Sequence, residues 1–329
     1  MRKVQYNVVE RDTRNASGKA KKDVCKILSN SNYQYLYRPS NNRYLRIIQQ
    51  IIAISKLKKE EYLFVQYPAN LDICYKYLKS KTCLKFVIIH DLESLRGTKN
   101  IQKEISILNE FNAVISHNAQ MSHYLKLNGL TTEIFDLEIF DYLMTNPFQV
   151  ISTHNKKEVT FAGNLAKSTF LQEIGRLANL KFLIYGAPIT DLDKITKNEN
   201  VEYAGVYTSE KLIENLHGGW GLVWDGDSID TCNGISGEYM RYNCPHKVSM
   251  YIVAERPIII WRQAAIANYI IENNLGIAVD TLYDIDKVID SINEDMYQDI
   301  LCAVRIEKEK LIHGYHLNTL LKQIENKYL

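Results

Sequence analysis

The chain has 329 residues, 46% of them apolar and 24% charged. That excludes a disordered or low-complexity protein and suits two domains of ordinary size. Forty basic residues against 38 acidic ones leave a net charge of +2, too small to make the chain as a whole a nucleic-acid binder, and none of the six cysteines lies in a CxxC pair or a zinc-like Cys/His spacing. Reduced thiols in a cytoplasmic setting are expected.

Met1-Arg2-Lys3 runs into a strand-like segment, Val4–Val9, instead of the long apolar stretch of a signal peptide. No run of about 18 apolar residues is present to span a bilayer. Next comes Arg11-Asp12-Thr13-Arg14-Asn15-Ala16-Ser17-Gly18-Lys19-Ala20-Lys21, leading into a helix. Small residues with unpaired N–H groups at a helix start make an anion site, although the GxxxxGK[ST] spacing of a P-loop is absent. Ser17 and Gly18 are candidates on the acceptor side. A helix over Tyr44–Lys59 has Ile47, Ile48, Ile51 and Ile52 on one face.

Charge is unevenly spread. Residues 1–60 carry 14 Lys and Arg against 4 Asp and Glu, whereas the other 269 carry 26 against 34. A basic lobe suits an anionic neighbour such as a membrane surface or a phosphorylated substrate.

Strands follow at Tyr62–Gln66, Lys85–His90 and Ala113–Ser116, with helical stretches between them. The run Ile88-Ile89-His90-Asp91 ends an apolar strand in two titratable groups. That is the carboxyl edge of a parallel sheet, where a general base belongs. His117 or Asn118, after Ser116, would line the same groove, or Asn118 caps the next helix.

Regularity breaks across Met144–Glu158, which carries Pro147 and little periodicity. The boundary is set there, giving domains 1–147 and 148–312. A second series has strands at Val159–Ala162, Phe182–Tyr185, Gly221–Trp224, Pro257–Trp261 and Gly276–Val279. Its helices are expected at Ser168–Leu177, Ser209–His217, His246–Ala254, Ala264–Asn273 and Asp295–Lys310. The last segment, 313–329, holds a helix over Leu317–Tyr328 that would pack back on the first domain. Alternating strands and helices mean two mainly parallel sheets. The expected fold class is α/β: two Rossmann-like domains facing across a cleft, a geometry suited to group transfer between two substrates.

Three segments of the second half carry chemistry. Gly163 and Asn164 turn the chain after Phe161-Ala162, where Gly163 lets a ligand approach the backbone and Lys167 would pair with a diphosphate. Trp224-Asp225-Gly226-Asp227-Ser228 ends a strand in Asp-x-Asp, a pattern that holds a divalent ion in one glycosyltransferase architecture but sits late in the chain for that role. Pro245-His246-Lys247 opens a helix. An unpaired lysine in a first turn is unfavourable unless an anion binds.

The spacing Pro245-His246-Lys247-x-x-x-Tyr251-x-x-x-x-x-Pro257 resembles the donor-site signature of the two-domain GT-B glycosyltransferases. Taken with Arg11-Asp12, Lys21-Lys22-Asp23, Ile89-His90-Asp91-Leu92-Glu93-Ser94-Leu95-Arg96-Gly97, Ser116-His117-Asn118, Ile139-Phe140-Asp141-Tyr142-Leu143, Ala162-Gly163-Asn164-Leu165 and the Asp225 stretch, it is similar to the bacterial β-1,6-galactofuranosyltransferases of O-antigen and polysaccharide assembly. More distantly the chain resembles the glucosyltransferases that extend glycans on serine-rich adhesins.

The resemblance implies a UDP-sugar donor held by the second domain, with Lys167 and Lys247 at the diphosphate. It places Val206-Tyr207 and the loop Tyr242–His246, with Pro245, around the nucleotide and sugar. Asn164 and Tyr207 would hold the nucleotide, and Asp227 and Glu238 the sugar hydroxyls. Retaining relatives carry Glu three residues after the lysine. This chain has Met250 there, and Glu255-Arg256 in place of a small glycine before the proline, so inversion is expected. The expected reaction is metal-independent transfer of galactofuranose from UDP-α-D-galactofuranose to a lipid-linked glycan acceptor in bacterial polysaccharide synthesis. Asp91 is the first candidate for the base and His90 the second. The alternatives are a UDP-glucose-dependent enzyme, a metal-dependent transferase using Asp225 and Asp227, and a non-catalytic sugar-nucleotide-binding subunit. No nucleic-acid partner is expected, a peripheral membrane contact through the basic N-terminal region is, and a homo-oligomer stays open.

Overall fold

The computed structural model describes residues 2–6, 16–38, 40, 42–68, 77–144, 150 and 154–328. Its contacts divide the chain into two units, one of 1–12, 17–138 and 314–329, the other of 13–16 and 139–313. The expected boundary at 147/148 lies outside the described residues, as do residues 7–9 of the first expected strand and Arg11–Asn15.

Unit 1 contains β1 (Lys3–Gln5), α1 (Ala16–Asn30), β2 (Gln34–Tyr35), α2 (Arg43–Ser55), β3 (Tyr62–Tyr67), β4 (Leu84–Ile89), α3 (Ile101–Leu108), β5 (Ala113–Ser116), α4 (Ala119–Leu127) and β6 (Glu133–Asp136). The strands form one sheet in the order β2-β1-β3-β4-β5-β6, and every pairing is parallel. β3 is buried along its whole length and β4 along nearly all of it. Helices cover both faces of a parallel sheet, so central strands read as unbroken apolar runs. Asparagines start the helices: Asn42 accepts from the N–H groups of Tyr44 and Leu45, Asn100 from Gln102 and Asn118 from Met121.

Unit 2 contains β7 (Glu158–Ala162), β8 (Lys181–Tyr185), α5 (Leu192–Thr196), β9 (Val201–Gly205), α6 (Ser209–Glu214), β10 (Trp220–Val223), α7 (Gly234–Tyr239), α8 (Lys247–Val253), β11 (Ile258–Trp261), α9 (Ala267–Glu272), β12 (Gly276–Val279), α10 (Ile285–Asp290) and α11 (Glu294–Ile312). Its sheet is also parallel, in the order β12-β11-β10-β7-β8-β9. The last helix, α12 (Tyr315–Tyr328), belongs to unit 1. There Glu325 accepts from Tyr33 Oη at 3.0 Å, and Tyr328 Oη donates to Glu133 at 2.7 Å. Two Rossmann-like units of this kind make up the GT-B fold class.

Three expectations need correction. The helix expected over Ser168–Leu177 is two 3₁₀ turns, Thr169–Gln172 and Ile174–Arg176. Gly175, a weak helix former, separates them, and a Cβ there would lie 2.0 Å from the Asn198 side chain. α2 stops at Ser55 rather than Lys59. Its core side is Gln50, Ala53 and Ile54, while Ile48 and Ile52 face outward.

The departure at Glu255-Arg256 has a backbone consequence. Glu255 adopts φ +55°, closing α8 with Arg256 N–H donating to the Tyr251 carbonyl and Glu255 N–H to that of Ile252. This is a left-handed helix stop, where a residue other than glycine costs about 1 kcal/mol. The Glu255 carboxylate offsets that cost by accepting from Lys308 at 2.8 Å and Arg305 at 3.0 Å, both on α11. The Arg256 side chain is fully buried, donating to the Leu216 carbonyl at 2.7 Å and lying 2.6 Å from His154 Nδ1. Burial and the Arg256 charge push the His154 imidazole down to about 4, so it is neutral at pH 7.

Burial raises the Glu255 carboxyl, but the bonds from Lys308 and Arg305 outweigh it and hold it below the ordinary glutamate value of 4.5. Its contribution to stability is therefore complete above that value and is lost as pH falls through the lower folded value. Glu255→Gln should destabilise the protein by about 1 kcal/mol at neutral pH, and the gap to the parent should close in acid. Urea denaturation at two pH values measures both.

Candidate functional site

The second sheet starts in its middle. The chain lays down β7, runs outward through β8 and β9, then returns to place β10 on the other side of β7. The segments leaving β7 and β10 therefore diverge, and the carboxyl edge between them is where parallel α/β sheets bind ligands.

Lys247, the first residue of α8, reaches this edge. Its ammonium lies 3.3 Å from both Asp225 oxygens and 3.4 Å from the Trp224 carbonyl, and 4.9 Å from the centre of the Phe161 ring. The lysine is thus not unpaired, as the sequence reading supposed. A carboxylate and an aromatic face hold its mostly buried chain.

Tyr251, one turn further along α8, ties the helix to β7. Its hydroxyl accepts from Ala162 N–H at 2.7 Å inside the core. Gly221 makes this possible, since a Cβ there would sit 2.3–2.6 Å from the Tyr251 ring. Gly163 and Asn164 follow at once, with Asn164 Oδ1 accepting from Ala166 N–H at 3.1 Å and its carbonyl from Lys167 N–H at 3.1 Å. Lys167 is exposed on this turn.

The opposite loop is bound to the same turn. Thr169 Oγ1 donates to Asp227 at 2.7 Å. Asp227 N–H donates to the Asn233 side chain at 2.7 Å. Gly226, at φ +118°, closes the loop, where a Cβ would meet the Asn233 backbone at 2.6 Å. Asp225 and Asp227 therefore serve different partners, an ammonium and a hydroxyl. Among the described residues no group of three or more His, Cys, Asp or Glu side chains comes together as a metal site.

The remaining candidates spread along the edge. Tyr207 follows β9, two strands from β7, with its ring 6.2 Å from Tyr185. Glu238 is exposed on α7 and accepts from Arg241 at 2.8 Å. Arg241 in turn lies 4.5 Å over the Trp261 ring at the end of β11. Tyr242 is half-buried in the turn after α7, the Pro245 carbonyl accepts from Val248 N–H, and the His246 ring stacks 5.0 Å from Tyr142. Met250 is buried.

In unit 1 the order of strands reverses between β1 and β3, and the segments leaving them, residues 7–15 and 69–76, lie mainly outside the described residues. His90 and Asp91 follow β4, one strand further on. His90 is buried, its Nε2 2.7 Å from Gln66 Oε1, while the Gln66 amide nitrogen donates to Cys25 Sγ and the Lys21 carbonyl. With the amide so oriented, His90 Nε2 carries the proton. Asp91 is partly exposed and accepts at one oxygen from Arg96 Nε and Nη2, at 3.0 and 2.6 Å.

Glu104, fully buried on α3, holds the segment after Asp91. It accepts from the N–H groups of Glu93 and Ser94 and from Tyr67 Oη, at 2.7–3.0 Å. His117 is buried with Nε2 3.0 Å from the Ile89 carbonyl, and burial pushes it down to about 4. It props the end of β4 from inside the core. Asn118 caps α4. Gly18 is buried in the first turn of α1, and the Ser17 side chain lies outside the described residues.

The Glucosyltransferase 3-like N-terminal domain model matches residues 4–139 and the corresponding C-terminal model residues 159–324. The chain belongs to the glucosyltransferase 3-like family. It is a glycosyltransferase of GT-B type. The β-1,6-galactofuranosyltransferase WbbI of Escherichia coli K12 is 31% identical over 326 residues, 94% of each chain. Glucosyltransferase 3 of Streptococcus gordonii is 27% identical over 232 residues, 69% of this chain and 66% of the relative. Among solved structures, Anabaena HepE in complex with UDP-glucose matches with a TM-score of 0.56 at 10% identity, covering 99% of each chain. That likeness shows the fold alone.

Sequence reasoning missed Asp225 as the partner of Lys247, along with Thr169, Arg241, Gln66 and Glu104. Asp225 had a signal in its Asp-x-Asp motif, and Tyr251 in its place in the family spacing. In this Gtf3-like chain, Tyr251→Phe leaves a buried N–H on Ala162 without its acceptor. It should cost about 1–3 kcal/mol in urea denaturation.

Proposed function

We propose that this chain transfers galactofuranose from UDP-α-D-galactofuranose to a glycan hydroxyl with inversion at the anomeric carbon. The observation that carries the reading is the 31% identity to a galactofuranosyltransferase over 94% of both chains. The family description favours a second donor, UDP-glucose.

Unit 2 handles the donor. Lys247, reoriented from Asp225 by a more strongly charged diphosphate, stabilises the departing UDP, and Lys167 on the adjacent turn adds a second cation. The Asp225 carboxylate is already paired with the Lys247 ammonium, which supports a metal-independent reaction. Asn164, Gly163, Tyr207 and the Tyr242–His246 loop are proposed around the nucleotide, and Asp227 and Glu238 at the sugar.

Unit 1 handles the acceptor. Asp91 is proposed as the base because its carboxylate reaches solvent whereas His90 is buried, with Arg96 orienting it. The acceptor oxygen forms a bond to the anomeric carbon, the bond from that carbon to the phosphate oxygen breaks, and the acceptor proton passes to Asp91. UDP leaves with the bonding electrons. The glycan acceptor is proposed to be lipid-linked.

Incubation with UDP-galactofuranose, UDP-galactopyranose or UDP-glucose and a synthetic acceptor tests the donor. Consumption of UDP-galactofuranose is expected, and consumption of UDP-glucose alone overturns the sugar assignment. Turnover should persist in EDTA. Asp91→Asn should lower kcat by about 10²-fold or more, while Lys247→Ala should weaken UDP binding in calorimetry by about tenfold or more.

A further inference from the structure

α2 is apolar on two opposite sides. One side, with Gln50, Ala53 and Ile54, packs on the unit 1 core. The other carries Tyr44, Leu45, Ile48 and Ile52, with relative exposures of 77%, 54%, 52% and 47%. At 100° per residue these four fall within one stripe, pointing away from the core. Core packing therefore explains the first side and leaves the second without a partner among the described residues.

Cations border this stripe. Arg38 lies exposed ahead of α2, and Lys56, Lys58 and Lys59 lie exposed behind it, with one exposed carboxylate, Glu60, at that end. Lys81 donates to the Ser55 carbonyl at 2.6 Å, adding a further positive charge at the end of the helix. The wider setting matches, since residues 1–60 carry 14 basic against 4 acidic residues in a chain of net charge +2.

We infer that the outer face of α2 docks on an anionic lipid surface. A helix lying in the interface buries aliphatic and tyrosine side chains at the headgroup boundary while flanking cations meet lipid phosphates. Each cation near such a surface adds attraction that salt screens. A bilayer fits better than a folded protein partner because the stripe combines apolar residues with a diffuse basic rim instead of a shaped pocket. The inference does not depend on the identity of the donor sugar. It brings unit 1 to a surface on which a lipid-linked acceptor would be presented.

The test is co-sedimentation of the full chain with vesicles of phosphatidylcholine alone and of phosphatidylcholine containing about one third phosphatidylglycerol. Binding to the anionic vesicles alone is expected, reduced by about 0.5 M salt. Ile48→Gln with Ile52→Gln should weaken it about tenfold or more while the thermal melt is unchanged, since both side chains are exposed. In Ile48→Trp the fluorescence should shift to the blue on adding anionic vesicles. Failure to bind, or equal binding by the double variant, overturns the proposal. So does light scattering that finds a dimer dispersed by the double variant, which would assign the stripe to a second copy of the chain. Transfer assayed with a water-soluble acceptor should be unaffected by the double variant, which separates this proposal from the reading of the reaction.

Discussion

A lysine ammonium held between a carboxylate and a phenyl ring is the interaction on which the carboxyl edge of the second sheet depends. Lys247 carries its charge into the gap where the second sheet reverses its strand order, and Asp225 and Phe161 fix it there. Without the carboxylate, a mostly buried cation at the positive end of a helix would be unfavourable. With it, the charge is already in place, and an incoming anion has only to displace one partner. The Tyr251 hydroxyl and the Thr169–Asp227 bond serve the same end, since each joins a segment leaving β7 to another part of the edge.

Unit 1 uses the opposite device at the end of β4, a buried anion in place of a buried cation. Glu104 has no exposure, and among the described residues its donors are two backbone N–H groups and a phenol. A carboxylate satisfied by N–H groups rigidifies the segment carrying them. That segment begins two residues after Asp91, so Glu104 and Arg96 together orient the end of β4. His90 and His117 lie inward of it, one bonded to Gln66 and the other to the Ile89 carbonyl. Both histidines are buried, whereas the Asp91 carboxylate is partly exposed.

Legibility followed burial. The central strands β3, β4, β5, β7, β8, β10 and β11 were readable because both faces are covered and their sequences are continuous apolar runs. The strands that went unread, β2, β6 and β9, are all at sheet edges. There half of each strand meets solvent, as in Val201-Glu202-Tyr203-Ala204-Gly205, and the apolar signal disappears. The short helices α5, α7 and α10 have five or six residues, too few for periodicity to mark, whereas α6 and α9, equally short, lie within longer expected helices. The motifs at strand ends were legible for a different reason, since an abrupt change from apolar to polar residues marks the carboxyl edge in any parallel sheet.

The sequence by itself determined the two α/β series, the positions of their inner strands and the family, because apolar runs and motif spacings are local properties of the chain. Only the tertiary structure decided which motif residues meet. Asp225 and Lys247 are 22 residues apart, Thr169 and Asp227 are 58 apart, and Tyr251 reaches Ala162 over 89. Such pairs are created by strand order, which follows from how whole elements pack and not from any window of sequence. Packing likewise decided that one side of α2 serves the core and the other faces outward, since a helix with apolar residues on two sides carries no mark of which side its neighbours will cover.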